Sequence, residues 1–246
     1  MALPEVVTRS EWLEARKELL AREKAFTKER DRLSARRRQL PMVRVDKAYA
    51  FTGPEGTVGL RRLFGDSRQL VLQHFMFDPA WDEGCPSCSG AADEMSDGLL
   101  RHLRARDTAF VAVSRAPADK IARYQAQRGW TFPWYSSYGS DFNYDFNVTI
   151  DSSVAPVLWN YRTLPELEAA GMGWLGEGSS EQPGYSFFLR DGDDVFHTYS
   201  TYARGTEGMG GVYSVLDMTA LGRQEEWEEP KGRVETPRAG VPDFTA

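Results

Sequence analysis

The chain has 246 residues, of which 41% are hydrophobic, 12% aromatic and 27% charged, and its formal net charge is −6. This composition is typical of a globular protein with enough apolar residues for a large core, and the acidic balance argues against nucleic acid as a partner. No run approaches the ~18 apolar residues of a membrane span, and the N-terminus lacks the basic and apolar regions of a secretory signal. The sequence therefore predicts a cytoplasmic protein with no membrane partner.

The first unit is predicted to be one long helix over residues 8–40, within an N-terminal segment of residues 1–41. Thr8 or Ser10 is suited to cap its start, and Pro41 ends it because proline does not continue a helix. Large apolar residues recur every seven positions, which is typical of a helix that packs along another surface. They are Trp12, Leu19, Phe26, Leu33 and Leu40, called the heptad seam below.

The net charge of this N-terminal segment is opposite in sign to that of the rest of the chain. Residues 1–40 hold 11 Lys and Arg against 7 Asp and Glu, a charge of +4, and the remainder holds 19 against 29, a charge of −10. Acidic residues interleave with the basic ones, so packing on the protein's own body or in a homodimer is favoured over a nucleic-acid arm.

The main domain is predicted to span residues 42–222 and to be of the α/β class. Two short strands around a Gly53-Pro54 turn come first, and a hairpin around Asp191-Gly192 comes near the end. Between them, strands alternate with helices, which favours a sheet containing parallel strands. The expected elements are a core strand at 69–77, a helix at 89–106, a buried strand at 108–114, a helix that begins near Pro117 and a last helix at about 211–221.

Two further segments break this alternation. Residues 130–182 are rich in aromatic residues, Ser, Asn, Asp and Gly, which predicts a loop-rich insertion before the final hairpin. The aromatic residues Trp134 and Tyr135 are candidates to line a substrate pocket, or they pin the loop to the body. Residues 223–246 are charged and contain proline, which predicts a disordered tail.

The chemistry is expected at the only two cysteines, Cys85 and Cys88, in the stretch Cys-Pro-Ser-Cys. A hydrophobic strand ends shortly before them and a helix begins at or just after Cys85. Free amides and the helix dipole at such a position lower the pKa of a thiol, and the thiolate is the attacking species. Cys88 lies one turn further on, where it can attack a mixed disulfide on Cys85. Pro86 fits the early helical position between them.

Two other interpretations of the pair remain open. The cysteines with two of His74, His102 and His197 would make a Cys₂His₂ zinc site, although no two of these histidines are close in sequence. The cysteines can also be purely structural. His197 ends an apolar strand, so it is either an ordinary strand histidine or a proton donor that faces the cysteines.

Four stretches resemble the bacterial thioredoxin-like family catalogued as domain of unknown function 899. They are HFMFDPAWDEGCPSCS, RGWTFPWYSSYGSDFNYDF, VFHTYSTYARG and YSVLDMTALGRQE. The resemblance covers nearly the whole chain and implies a thioredoxin-like fold. It also implies a cis-proline opposite the cysteines, for which Pro183 is the candidate by position. Trp81 and Pro86, beside Cys85, are then expected to contact substrate.

These observations lead to two hypotheses of different classes. In the first, the protein is a thiol–disulfide oxidoreductase without a cofactor, whose partners are a disulfide or thiol substrate and an electron donor, either a small thiol or a reductase. A peroxidase variant would form a sulfenate on Cys85, but the sequence offers Asp82 and Glu83 where peroxiredoxins place a threonine upstream. In the second, it is a thioredoxin-like module that binds a ligand or a metal without catalysis.

Overall fold

A computed structural model of the chain describes residues 5–238, and the elements lie close to those expected. The helices are α1 (Arg9–Arg37), α2 (Pro86–Asp93), α3 (Asp97–Arg104), α4 (Ala118–Arg128), α5 (Phe142–Asp145), α6 (Leu164–Ala169) and α7 (Val212–Leu216). The strands are β1 (Val43–Arg44), β2 (Ala50–Gly53), β3 (Gly56–Gly59), β4 (Gln69–His74), β5 (Thr108–Ser114), β6 (Trp134–Ser136), β7 (Thr149–Asp151), β8 (Leu158–Trp159), β9 (Arg162–Thr163), β10 (Ser179–Glu181), β11 (Gly184–Asp191) and β12 (Asp194–Tyr202).

A central mixed sheet organises the molecule, with strand order β1-β12-β11-β4-β5-β6-β2-β3. Strands β4, β5 and β6 are parallel, and the other pairs in this sheet are antiparallel. The parallel strands are connected through helices, and the β11–β12 hairpin extends the sheet beside β4. This confirms the predicted α/β, thioredoxin-like fold with a long N-terminal helix.

The sheet separates two buried cores, because successive side chains on a strand point to opposite faces. On β4, for example, Val71 belongs to one core, whereas Leu70 and Leu72 belong to the other. The cysteine-side core contains Val71, Phe75, Phe77, Cys88, Leu103, Ile121, Tyr124, Trp134, Tyr185, Phe187 and Leu216. The far-side core contains Phe51, Leu63, Phe64, Leu70, Leu72, Val113, Phe142, Phe146, Phe188 and Tyr202.

Two predicted boundaries are wrong. The helix expected at 89–106 is two helices, because the chain leaves α2 at Glu94 and Ser96 caps the start of α3 with its side chain. The expected insertion at 130–182 begins too early, since Trp134–Ser136 form strand β6 of the central sheet. The remainder of that segment carries two small antiparallel sheets, β7–β10 and β8–β9, over a core of its own.

Helix α1 begins as the sequence indicates and is exposed along most of its length. Thr8 caps it in a capping box with Glu11. The heptad seam is open in the single chain, where each of its residues is roughly half exposed or more. Only the C-terminal end is fixed to the body: Ser34 is buried, and Arg37 donates a hydrogen bond of 3.0 Å to the carbonyl oxygen of Asp217. The single chain therefore does not cover the seam.

The tail departs from the disordered segment expected after Arg223. Residues 223–238 pack against the body, where the buried side chains of Arg38 and Glu228 form an ion pair of 3.1 Å. The Arg238 guanidinium also donates to the carbonyl oxygen of Ala105 at 2.6 Å. Its composition alone suggested disorder, but these long-range polar contacts hold it in place. Residues 239–246 of the predicted tail lie outside the described residues.

Across residues 5–238, no helix combines the length and the apolar character that crossing a bilayer requires.

Candidate active site at the start of helix α2

Cys85 is the N-cap residue of α2, and Pro86 occupies the first turn. The amide of Cys85 donates a hydrogen bond of 3.0 Å to the carbonyl oxygen of Met76, just past the end of β4. Gly84 lies so close to the core that a β-carbon would come within 2.5 Å of the Phe75 ring. The Gly-Cys-Pro sequence therefore brings the first cysteine tightly against the end of the central strand.

The Cys85 thiol is half-buried and strongly acidified. Its pKa falls to about 5, chiefly because the Cys88 thiol hydrogen-bonds to the sulfur. The backbone amides of Cys88 and Ser87 and the Ser87 hydroxyl act in the same direction, while burial opposes them. These amides are free because they begin a helix. Cys85 is consequently a thiolate at neutral pH.

Cys88 has the opposite character. Its side chain is buried, with 4% exposed, and its pKa is raised because its proton is shared with the Cys85 sulfur and because burial disfavours a charge. The backbone of Met76 partly offsets this by hydrogen-bonding to the Cys88 sulfur. One cysteine is thus an accessible thiolate and the other is a protected thiol, which suits an attacking and a resolving role.

Neighbouring elements hold the loop that leads to the pair. The Lys120 ammonium, on α4, donates to the carbonyl oxygens of Pro79 and Trp81 at 2.8 and 2.6 Å. Behind the cysteines, the Ser89 side chain bonds to the carbonyl oxygen of Cys85 and to the Tyr124 hydroxyl, each at 3.0 Å. The loop position is therefore set by α4 as well as by β4.

Pro183 lies directly before β11, opposite the end of β4, but it is not a cis-proline. Glu229–Pro230 is the one cis peptide bond within residues 5–238. Only Gln182 and Pro183 separate β10 from β11, and the amide of Gln182 donates to the carbonyl oxygen of Val148 at 2.7 Å. A trans peptide bond before Pro183 fits this short connection, so the expected cis-proline is wrong.

His197 does not face the cysteines. It lies on the far side of the sheet, against Phe146 and Phe188, where burial lowers its pKa. A chain of three hydrogen bonds, each 2.7 Å, connects it to a second buried histidine. The members in order are His197, Ser200, Ser186 and His74.

The same arrangement argues against the zinc alternative. His74 and His197 lie across the sheet from Cys85 and Cys88. In the part of the chain that the structure describes, no group of three or more His, Cys, Asp or Glu side chains is placed to hold a metal ion.

The predicted substrate-binding residues divide into two groups. Trp81 is 37% exposed in the loop that leads to Cys85, and Pro86 is exposed and follows Cys85 in the chain. Trp134 is instead a core residue, whose indole nitrogen donates to the Ser114 hydroxyl at 3.0 Å. Tyr135 follows it on the strand and so faces the other side, where its hydroxyl donates to Glu55 at 3.3 Å. Tyr135 therefore faces away from the cysteines, and Trp134 is a buried member of the core that contains Cys88 and does not line an open pocket.

Two polar residues beneath Cys88 are absent from the sequence prediction. Gln73 on β4 directs its amide nitrogen to the carbonyl oxygen of Cys88 at 3.5 Å. Tyr185 on β11 pairs with Gln73 across the strands. The signal in the sequence is a glutamine inside a strand that is buried along its whole length, since buried polar groups usually have a specific partner.

Comparison with known proteins agrees with the sequence motifs. A family model described as "Bacterial protein of unknown function (DUF899)" matches residues 1–238. The chain belongs to this family. No curated protein matches it.

Solved structures show only a distant likeness to this DUF899 protein. A mutant of peroxiredoxin Q from Xanthomonas campestris is 14% identical, with 64% of this chain and 80% of that one covered and a TM-score of 0.39. Peroxidoxin BcpB from Mycobacterium tuberculosis is 19% identical, with 62% and 82% covered and a TM-score of 0.34. Reduced 2-Cys peroxiredoxin from Plasmodium vivax is 12% identical, with 66% and 82% covered and a TM-score of 0.37. Likeness at this level assigns no activity to the chain.

Proposed function

We propose that this protein is a thiol–disulfide oxidoreductase in which Cys85 attacks and Cys88 resolves. The observation that carries the proposal is the opposite state of the two thiols: an acidified, half-buried Cys85 at a helix start and a buried, protonated Cys88 one turn later. A purely structural pair would not need one thiolate held in front of a protected thiol.

The reaction has two exchange steps. The Cys85 thiolate attacks one sulfur of a substrate disulfide, so that this bond breaks, the first substrate thiolate leaves and a mixed disulfide forms on Cys85. Cys88 then loses its proton and attacks the Cys85 sulfur, and the second substrate thiolate leaves and takes up a proton. Two electrons pass from the protein to the substrate, and a donor thiol or reductase must return them.

The substrate is proposed to bind next to Cys85. We expect Trp81 and Pro86 to contact it, because Trp81 is partly exposed in the loop that leads to Cys85 and Pro86 is exposed and follows Cys85 directly. Pro183, in its trans form, precedes the strand beside β4 and is the third candidate for the groove. A reducing compartment that can supply the electrons is needed, and the cytoplasm is the proposed location.

A second copy of the chain is the proposed protein partner of α1. The heptad seam repeats at the spacing with which two long helices supercoil, and it is open in the single chain. Leaving five large apolar side chains in water is unfavourable, since full burial of each contributes about 1.5–3 kcal/mol.

Trapping the mixed disulfide tests the proposed reaction. In Cys88→Ser the resolving step is lost, so incubation with an oxidised small thiol should leave that thiol attached to Cys85, as detected by intact-protein mass spectrometry. Cys85→Ser, the matched control, should form no adduct on Cys88. Equal adduct formation in the two variants would contradict the assigned roles.

A further inference from the structure

The resolving thiol poses a chemical problem that the first cysteine does not. Cys88 must lose its proton to attack, yet it is buried and its pKa is raised. Once a substrate occupies Cys85, the Cys85 thiolate is no longer present to share the Cys88 proton. A neighbouring hydrogen-bond donor would stabilise the Cys88 thiolate as it forms.

Tyr185 is placed to be this donor. It is opposite Gln73 in the β11–β4 pairing, and the Gln73 amide contacts the carbonyl oxygen of Cys88 at 3.5 Å. Residues opposite each other in an antiparallel pair share a face of the sheet, so Tyr185 also points towards the first turn of α2. It belongs to the same buried core as Cys88, and its side chain is only 3% exposed.

The hydroxyl of Tyr185 has no hydrogen-bond partner among residues 5–238. Buried hydroxyl groups are normally paired, and leaving one unpaired is unfavourable by about 1–3 kcal/mol. The neighbouring buried tyrosines differ, because Tyr124 bonds to Ser89 and Tyr202 bonds to the carbonyl oxygen of Phe146. An unpaired donor at this position is explained if its acceptor is a group that becomes charged during the reaction.

The electrostatics agree with this placement. Burial, followed by the charges of Cys88 and Glu94, raises the pKa of Tyr185. The phenol therefore keeps its proton at neutral pH and remains a donor. A Cys88 thiolate acts on this pKa through its charge, in keeping with the core that the two side chains share.

We propose that Tyr185 is a catalytic residue for resolution, whose hydroxyl donates a hydrogen bond to the Cys88 sulfur as that thiol is deprotonated and attacks the mixed disulfide. The inference rests on the proposed function. The Cys88 proton passes to the departing substrate thiolate through solvent, the Cys88–Cys85 bond forms, and the bond between Cys85 and the substrate sulfur breaks. Tyr185 ends the step unchanged.

A chromogenic disulfide separates the two steps. Reduced protein mixed with excess dithiobis-nitrobenzoate should release one equivalent of coloured thiolate when Cys85 attacks and a second when Cys88 resolves. In Tyr185→Phe the first phase should be unchanged and the second about ten- to a hundredfold slower, the usual effect of one hydrogen bond to a charged group. Tyr202→Phe is the matched control, because it removes a buried hydroxyl from the same hairpin on the far side of the sheet.

The pH profile distinguishes a donor from a packing residue. The titratable groups that face this pair are Cys85, beside Cys88, and Glu94, beside Tyr185. The midpoint of the second phase should move to higher pH in Tyr185→Phe, while the midpoint of the first phase stays in place. A second phase with the wild-type rate and midpoint would overturn the inference and leave the proposed function intact. A wild-type protein with no second phase would remove both.

Discussion

The amide of Cys85 donates a hydrogen bond of 3.0 Å to the carbonyl oxygen of Met76, which ties the first cysteine to the end of the central strand. Because the amide of the same Met76 is directed at the Cys88 sulfur, one residue positions both thiols. The geometry of the pair is therefore set by β4 and α2 without a cis-proline on the neighbouring strand.

The pH dependence of alkylation should report this geometry. A thiolate exists above its pKa, so iodoacetamide should modify Cys85 at a nearly constant rate from neutral pH down to about 6 and lose half of that rate near pH 5. A free cysteine would lose half of its alkylation rate at about pH 8.5. Peptide mapping should find Cys88 unmodified in the same samples. A midpoint near 8 at Cys85, or faster labelling of Cys88, would contradict the assignment of the thiolate.

The close approach of Gly84 to the core predicts that alanine destabilises the protein at Gly84 but not at Gly90. Gly84→Ala places a β-carbon 2.5 Å from the Phe75 ring, and overpacking of this kind costs about 1–3 kcal/mol. Relief of the clash would move the start of α2 and weaken the acidification of Cys85. We expect a lower melting temperature and a higher midpoint for alkylation of Cys85.

Gly90→Ala is the matched control for that variant. Gly90 lies inside α2, where an added β-carbon would meet open space, and alanine is favoured over glycine in a helix by about 0.5–1 kcal/mol. Its melting temperature should be unchanged or higher. Equal effects of the two substitutions would show that the Gly84 contact does not position the cysteine.

Part of this arrangement was readable from the sequence. The Cys85–Cys88 spacing, Pro86 at the helix start and the Thr8 cap are local signals, and the structure has them where they were expected. The roles of Pro183 and His197 depended on which face of the sheet each residue occupies and on how β10 leads into β11. These properties are set by strand register and long-range pairing, which a pattern of residue types along the chain does not encode.

The aromatic segment shows the same limit. A dense run of aromatic residues indicates burial but does not say against what, so the sequence predicts Trp134 as a pocket residue although its strand lies inside the sheet. The sequence does not single out Tyr185, because its significance comes from its cross-strand neighbour Gln73, which is 112 positions away in the chain.

The open heptad seam predicts a dimer through α1. Replacing Leu19 and Phe26 by glutamate places two charges in the seam and should convert the dimer to a monomer in sedimentation experiments. Replacing Lys17 and Lys24 by alanine changes the net charge by the same amount, −2, away from the seam, and this control should remain dimeric. Sedimentation of the wild type as a monomer at all concentrations would contradict the dimer.

The ion pair between Arg38 and Glu228 predicts that replacing Arg38, just after α1, strongly lowers the free energy of unfolding. Arg38→Met leaves the buried Glu228 carboxylate without its cation, and such a loss costs about 3–5 kcal/mol. For a protein of this size the melting temperature should fall by roughly 10 °C. Arg32→Met, which removes the exposed pair with Glu29, should change it little, since exposed ion pairs contribute about 0–1 kcal/mol. Equal melting temperatures would mean that the Arg38–Glu228 pair does not stabilise the fold.

A redox titration of Cys85 and Cys88 against dithiol and glutathione buffers, read by mass spectrometry after acid quenching and alkylation, tests the central claim most directly. If the pair exchanges disulfides, both cysteines should change state together in one two-electron transition, with a midpoint in the range of disulfide oxidoreductases, roughly −120 to −270 mV. Cys85→Ser and Cys88→Ser should each lack this transition. Two thiols that stay unlinked across the whole range would contradict the proposed function.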